Sequence, residues 1–369
     1  MKKKLGISLY PTGKSLERDK LYLEQAAGHG FSVLFLAMLG ITEGREAALA
    51  RFAPLTHRAK ELGYEIFVDV NPAVFKQLGV NASLFQAPID LSFFAELQVD
   101  ALRLDYGMSV LEEAYLTKNK EGIKICMNAG SKSDHVGNVI AAGGDVHMLV
   151  GCHNYYPHRY TGIDLEHFQT ATSIWNRHNI RCQAFISTQE ENAFGPHALA
   201  EGLPTLEIHR DLPIQIQFKH LKMMDMVDDI LIGNCYASEA ELAALQEANT
   251  DCVEFHIELA EGLPESMRKR LGMQLSRRND ANNYLVRTLE SRLLREDTPP
   301  FHTVDIKRGD ILIDNDLYGQ YSGEVQIALR DLKNSGKTNV VGHILAEEVM
   351  LLDYLAGGQS FVFQEGERA

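Results

Sequence analysis

Cysteine is scarce in this chain of 369 residues, and what there is does not pair: Cys126, Cys152, Cys182, Cys235 and Cys252 are an odd number, widely spaced, with no Cys-x-x-Cys among them. A disulfide framework and a zinc-ribbon ligand set are thereby excluded. Most of the five end or occupy apolar runs, so reduced, buried thiols in a cytoplasmic protein are expected. No apolar run approaches the length of a membrane span. Basic residues are outnumbered, 36 Lys and Arg against 50 Asp and Glu for a net charge of −14. That excludes the broad basic face a nucleic acid or an anionic membrane would need, and leaves an anionic small molecule only a local basic pocket. The opening MKKKLGISLYP starts basic, but its apolar stretch is interrupted at Ser8 and ended by Pro11, so no signal-peptide core is expected. Internal repeats, low-complexity tracts and long linkers are also missing.

What is there alternates. Short apolar runs at 5–11, 32–39, 65–72, 101–107, 123–130, 146–154, 180–188 and 229–234 are separated by amphipathic stretches of helical period, such as SLERDKLYLEQAAGHG and DLEHFQTATSIWNRHN. Eight strands, each followed by a helix-length segment, predict an α/β fold of the (β/α)8 TIM-barrel type. Two short helices around a loop are expected between the third and fourth strands, and a long segment after the seventh. From about Thr250 the pattern changes to period-two runs (CVEFHIEL, TVDIKRGDILI, EVQIALRDL, NVVGHIL, SFVFQEG) separated by Gly, Asn and Asp turns. These predict a small mostly β domain over 251–369, after a barrel domain over 1–250. A chain of this length exceeds what one core usually supports.

In such barrels chemistry gathers where strands exit into loops. Those exits carry Tyr10, Asp69, Asn71, Asp105, Tyr106, Asn128, the segment His153 to Tyr156, Gln189, Glu190 and Asn234. The exit loop GCHNYYPHRYTG (151–162), after the apolar VHMLV read as a buried strand, is the densest in polar groups and is expected at the rim of the site. Asp69 and Asp105 end parallel apolar runs, IFVDV and LRLDY. A buried carboxylate is costly without a partner, so either a salt bridge, for instance with Arg103, or catalysis must account for each. Two carboxyls at one mouth are the minimum equipment for cleaving a glycosidic bond. Glu190, next to Glu191, is a third catalytic candidate. Tyr10, Asn71, Asn128, His153, Asn154, Tyr156 and Asn234 are candidates for substrate hydroxyls, the amides because each both donates and accepts.

The remaining polar groups divide between structure and binding. His153 is also a conceivable metal ligand, and Glu254-x-His256-x-Glu258 offers three more. That triplet alternates on a strand as a half-exposed face would, and no zinc spacing occurs, so no metal or cofactor is expected. Ser238 precedes a helical run and is expected to cap it. Between Ser266 and Arg308, ten Lys and Arg stand against five acids. Arg268 to Arg270 are expected on a solvated helix face. Arg277 and Arg278, in SRRNDANNY, are expected to hold an anion, since a guanidinium fork fits phosphate or carboxylate.

LGISLYP, LDYG, GCHNYYPHRYTG, EGLPTLEIHR, IGNCYASE, SRRNDANNYLVRTLESR and GDILIDNDLYGQYSGEVQIAL together resemble a bacterial family of 6-phospho-N-acetylmuramidases, once known only as a domain of unknown function. The similarity spans nearly the whole chain. It implies a TIM barrel followed by a small cyclophilin-like β barrel, and cytoplasmic hydrolysis of a 6-phosphorylated muramyl-glucosamine disaccharide, delivered by a sugar phosphotransferase system, in cell-wall recycling. Where the family often reads Arg-Asp-Asn, this chain has Arg278-Asn279-Asp280. The resemblance assigns no catalytic residue; the aspartates come from their placement. A phosphate and a lactyl carboxylate on the substrate would suit the basic cluster, with the C-terminal domain contributing to binding. A metal-dependent sugar-phosphate isomerase or hydrolase and a non-catalytic sugar-phosphate binder are the rival readings. Oligomeric state is left open.

Overall fold

The computed structural model describes residues 2–12, 14–81, 88–105, 108–197, 201–294 and 296–366. Two compact units divide it, one over Lys3–Glu247 and the other comprising the chain from Ala248 onward together with Lys2. No helix among the described residues is long and apolar enough to cross a membrane.

In the first unit, β1 (Lys4–Leu9), β2 (Phe31–Ala37), β3 (Glu65–Val70), β4 (Ala101–Leu104), β5 (Lys124–Asn128), β6 (Leu149–Cys152), β7 (Cys182–Ile186) and β8 (Asp229–Ile232) close into a parallel barrel in chain order. The interior is filled by Val33, Phe35, Phe67, Ala101, Cys126, Val150, Cys152, Phe185 and Leu231. Burying side chains such as these phenylalanines contributes roughly 1.5–3 kcal/mol each. The parity of these core positions also places the polar groups. Side chains alternate across a strand, so the step of two from Phe67 leads to Asp69, from Ala101 to Arg103 and on to Asp105, and from Cys152 to Asn154. All four polar groups continue the inward face toward the strand-exit end.

The two short helices after β3 are Pro72–Leu78 and Ser92–Glu96. The long segment after β7 carries, among its described residues, the 3-10 turn Glu207–His209 before the helix Ile214–Met224. The helix Glu239–Ala248 starts from Ser238, whose Oγ accepts from Glu241 N at 3.3 Å while Glu241 Oε2 accepts from Ser238 N at 3.2 Å. One boundary differs from expectation. Val146–Met148 is a 3-10 turn, because Asp145 Oδ1 accepts from His147 N at 2.9 Å, and β6 begins only at Leu149. Gly151 in that strand is required by its neighbour: a Cβ there would stand 2.7 Å from Trp175 Cδ2.

At the barrel end opposite the strand exits, Arg181 joins Glu65 (Nη1 to Oε1, 2.7 Å) and Asp229 (Nε to Oδ2, 2.7 Å), and Gln183 Nε2 donates to the same Asp229 oxygen at 2.7 Å. Polar groups at this end of a barrel serve stability.

The second unit is a seven-stranded sheet in the order β10-β15-β9-β14-β12-β13-β11. Its strands are β9 (Val253–Leu259), β10 (Leu275–Ser276), β11 (Leu285–Arg287), β12 (Asp310–Asp314), β13 (Val325–Ala328), β14 (Thr338–Ile344) and β15 (Ser360–Glu365). β9 alternates as its sequence predicts, burying Val253, Phe255 and Ile257 and turning Glu254, His256 and Glu258 outward.

Candidate active site

Asp69 and Arg103 are register partners across β3 and β4. Arg103 Nη1 donates to Asp69 Oδ1 at 2.9 Å and to Asp105 Oδ1 at 2.5 Å, and its Nη2 donates to Asn154 Oδ1. One buried guanidinium thus gathers two carboxyls and an amide from the exits of β3, β4 and β6. The carboxyls differ in environment: the side chain of Asp69 is 2% exposed and that of Asp105 37%. Burial pushes the Asp69 carboxyl up to about 6 against the pull of Arg103, with the Asp105 charge adding to the rise. Burial works to lower the Arg103 pKa, but the charges of Asp69 and Asp105 outweigh it and keep the guanidinium firmly protonated.

Around this centre lie aromatic rings. Tyr155 stands edge-on to Phe185 at 5.2 Å, Phe35 at 6.2 Å and Tyr10 at 6.4 Å between ring centroids. Burial, then the Asp69 charge, holds its phenol protonated well above the usual range. Tyr10 is buried and donates to Gly233 O. Tyr156 is half-buried, its backbone N donating to Pro204 O at 3.1 Å. Such a surface, apolar rings around a charged centre, suits a sugar ring.

The structure distributes the other expected residues differently. Asn71 caps the helix Pro72–Leu78 through Oδ1, which accepts from Val74 N at 3.1 Å, and Asn128 Oδ1 accepts from Gly130 N at 2.8 Å; among the described residues both leave their NH2 groups uncommitted. Asn234 is buried and used at both ends, accepting from Thr188 N at 2.9 Å and donating to Thr188 O at 3.3 Å, so it ties β7 to β8 while also lining the cleft that holds Glu190. His153 is a correction. With Cys152 and Asn154 facing inward, the residue between them turns out, and its ring is buried against Phe168 and Thr172 of the helix Leu165–Arg177. Thr172 Oγ1 donates to Phe168 O, so the His153 Nε2–H is the donor in the 2.8 Å contact with that hydroxyl. Burial, then His167, depresses the imidazole to about 3 and holds it neutral. It is a core histidine, neither a substrate contact nor a metal ligand.

Glu190 is exposed on the segment after β7, lining a separate cleft of about 170 Å³ with Arg159, Asp211 and Glu201; among the described residues it makes no hydrogen bond to the Arg103 centre. Arg159 is engaged bidentately by Asp211 at 2.6 and 2.9 Å. Arg210 is buried, forks onto Glu207 at 2.7 Å through both Nε and Nη2, and donates to Tyr156 O at 3.0 Å and Glu201 O at 2.8 Å. The hydrogen bonds from Arg210 hold Glu207 down to about 2, and Glu207 also accepts from Tyr160 N and Gly162 N, each at 2.7 Å. The 151–162 loop is therefore held by residues outside it, Glu207 and Arg210 together with Glu201, Pro204 and Thr205.

In the second unit, Arg277 donates to Leu355 O at 2.6 Å and Asn282 O at 3.2 Å, while the Arg278 fork is closed on Asp280 at 2.7 Å through both nitrogens. The solvated face expected for Arg268 to Arg270 holds for two of the three. Arg270 shares the inner face of its helix with Met267 and Leu271, is 1% exposed, and satisfies Ser291 O at 2.6 Å, Leu294 O at 2.7 Å and Glu296 O at 2.7 Å. Tyr106 lies outside the described residues. Sequence reasoning named Arg103 only as a salt-bridge partner and Tyr155 only within the segment His153 to Tyr156, without singling out either as a site residue. Counting parity inward from Ala101 would have found the first; the second is one aromatic in a run of two, and nothing in the run distinguishes it from Tyr156.

The chain matches a family model described as 6-phospho-N-acetylmuramidase, N-terminal, over residues 5–247, and one described as 6-phospho-N-acetylmuramidase, C-terminal, over residues 253–364. The crystal structure of an uncharacterized B. cereus protein is similar at 37% identity, covering 99% of this chain and 100% of that one, with a TM-score of 0.87. A conserved protein of unknown function from a locus in Enterococcus faecalis is similar at 25% identity, covering 98% and 96%, with a TM-score of 0.75. No curated protein matches the sequence.

Proposed function

Since the chain belongs to the 6-phospho-N-acetylmuramidase family, we propose that it hydrolyses the glycosidic bond of a 6-phospho-N-acetylmuramyl-N-acetylglucosamine disaccharide by carboxylate acid/base chemistry, as a cytoplasmic step of cell-wall sugar recycling. The observation that carries this reading is the Asp69–Arg103–Asp105 cluster at the strand-exit end. Two carboxyls on one guanidinium nitrogen, one with its pKa raised to about 6, form a unit that holds a proton up to about pH 6 while keeping one charge.

Asp105, the exposed member, is the carboxyl that meets the substrate. Asp69 acts behind it as the member that retains the proton. In the reaction the bond between the anomeric carbon and the bridging oxygen breaks with its electron pair going to that oxygen, which takes up a proton from the pair. Water adds its oxygen to the anomeric carbon and returns a proton to the carboxylates, so the cluster ends as it began. Tyr155 and Tyr156 bound the sugar, and Arg103 keeps the pair from losing its charge balance. Lys132, exposed on the loop leaving β5 and without an ion pair among the described residues, is a cation open to the 6-phosphate.

The test is direct. Purified protein is incubated with phosphorylated and unphosphorylated muramyl-glucosamine disaccharides, with and without chelator, and products are separated by chromatography. Cleavage of the phosphorylated compound at a rate indifferent to chelator is expected. No cleavage of either compound sinks the reading, and a loss restored by a divalent cation sinks its acid/base part.

A further inference from the structure

The sheet of the second unit carries a cavity of its own, about 350 Å³ in volume. Its chemistry is set by the strands that line it. A step of two residues along each strand passes from an aliphatic to a polar side chain on the same face: Leu285 to Arg287 on β11, Leu312 to Asp314 on β12, Ala328 to Gln326 on β13, Val340 to Thr338 on β14. The aliphatic members cluster with Ile306 and Leu332. The polar members form a linked set, in which Asp314 accepts from Thr338 Oγ1 at 2.9 Å and from Gln326 Nε2 at 3.0 Å. Tyr318 and Tyr321, on the turn Asp316–Tyr321, complete the wall.

We infer that this cavity is a binding site for one uncharged sugar ring. Three observations select that class. First, the charges cancel: two nitrogens of Arg287 fork onto Glu324 at 2.7 and 3.1 Å, Arg292 stands 3.6 Å from the same carboxylate and so offsets the charge of Asp314, and the Lys333 ammonium is held by Asp305 at 2.6 Å. An anion or a cation would meet an opposing group of its own sign. Second, the groups left over are of both kinds. Gln326 spends its NH2 on Asp314 and Glu324, leaving Oε1 as an acceptor, and Arg287 Nη1 remains as a donor. Third, a sugar ring is itself two-sided, with C–H groups for an aliphatic floor and tyrosine edges, and hydroxyls for side-chain partners. An extended peptide would instead need open backbone groups. A volume of this size lies at the low end for small-molecule pockets. None of these residues belongs to the barrel centre.

The experiment is titration calorimetry or ligand-observed NMR on the full chain with free N-acetylglucosamine as the probe. Gln326→Leu and Tyr321→Ala are each expected to weaken binding about tenfold, the effect of losing one good contact, while melting temperature verifies that each variant is folded. Because the barrel centre would itself hold this sugar as part of the disaccharide, Asp105→Asn is measured alongside, and the binding lost in the cavity variants is expected to persist in it. The inference fails if the wild-type chain does not bind the sugar, if both cavity variants bind it normally, or if only Asp105→Asn abolishes binding. Equal competition by inorganic phosphate or a short peptide also overturns it, since the site would then not be selective for a neutral sugar.

Discussion

Asp69 and Arg103 stand side by side on neighbouring barrel strands and close a buried ion pair at 2.9 Å, yet burial still leaves the carboxyl with a pKa near 6. Native and unfolded chains therefore hold this proton differently. Unfolded, the group titrates near its ordinary 3.8, and folded near 6. Its contribution to stability is complete below pH 3.8 and is lost as pH rises through about 6. Replacing it with Asn should flatten the stability profile across that window. Denaturant titrations of wild type and Asp69→Asn at several pH values test this; parallel curves would mean the carboxyl is not perturbed.

Asp105→Asn and Asp69→Asn should each lower kcat by at least about a hundredfold, the low end for general acid/base groups. The wild-type rate should fall above about pH 6 as the pair gives up its proton, and that limb should be missing from whatever activity Asp69→Asn retains. Near-normal turnover in both variants would shift the chemistry to Glu190, which Glu190→Gln would then reveal.

Arg103→Met removes the charge that both carboxyls share. With two like charges left at a partly buried site, stability should drop by about 3–5 kcal/mol and activity should disappear. A variant that stays stable and active would show the cluster to be incidental.

His153→Ala should behave in the opposite sense. Loss of the buried ring and its bond to Thr172 should cost about 2 kcal/mol or more in an unfolding titration. The folded fraction should turn over at close to the wild-type rate; a large fall in kcat at unchanged stability would return the imidazole to the site.

Lys132→Ala should raise KM for the phosphorylated disaccharide by roughly 10- to 100-fold, corresponding to about 1.5–3 kcal/mol for a bond to a charged group. An unphosphorylated analogue should be unaffected. Equal changes for both would remove Lys132 from phosphate recognition.

The barrel was legible because each strand is a short apolar run and each connection carries a helical period; both signals are local. The start of β6 was not, because VHM is as apolar as a strand and only the Asp145 side chain, bonding to the next turn, makes it a 3-10 segment. Asp69 and Asp105 were legible as acids interrupting apolar strands. Their partner was named as a salt bridge and nothing more, since sequence cannot show that one guanidinium reaches both carboxyls and Asn154 as well. His153 misled because residue type says what a group can bond, and burial decides whether the partner is a ligand or the protein. Asn234 spends its amide on Thr188, and His153 its imidazole on Thr172.

The 151–162 loop takes its form in part from Glu207 and Arg210, which bond to its backbone at Tyr156, Tyr160 and Gly162. Its shape is thus encoded some fifty residues away, in side chains that never need to meet substrate. The course of this loop and the identity of the side chains it displays are thus set by different parts of the sequence.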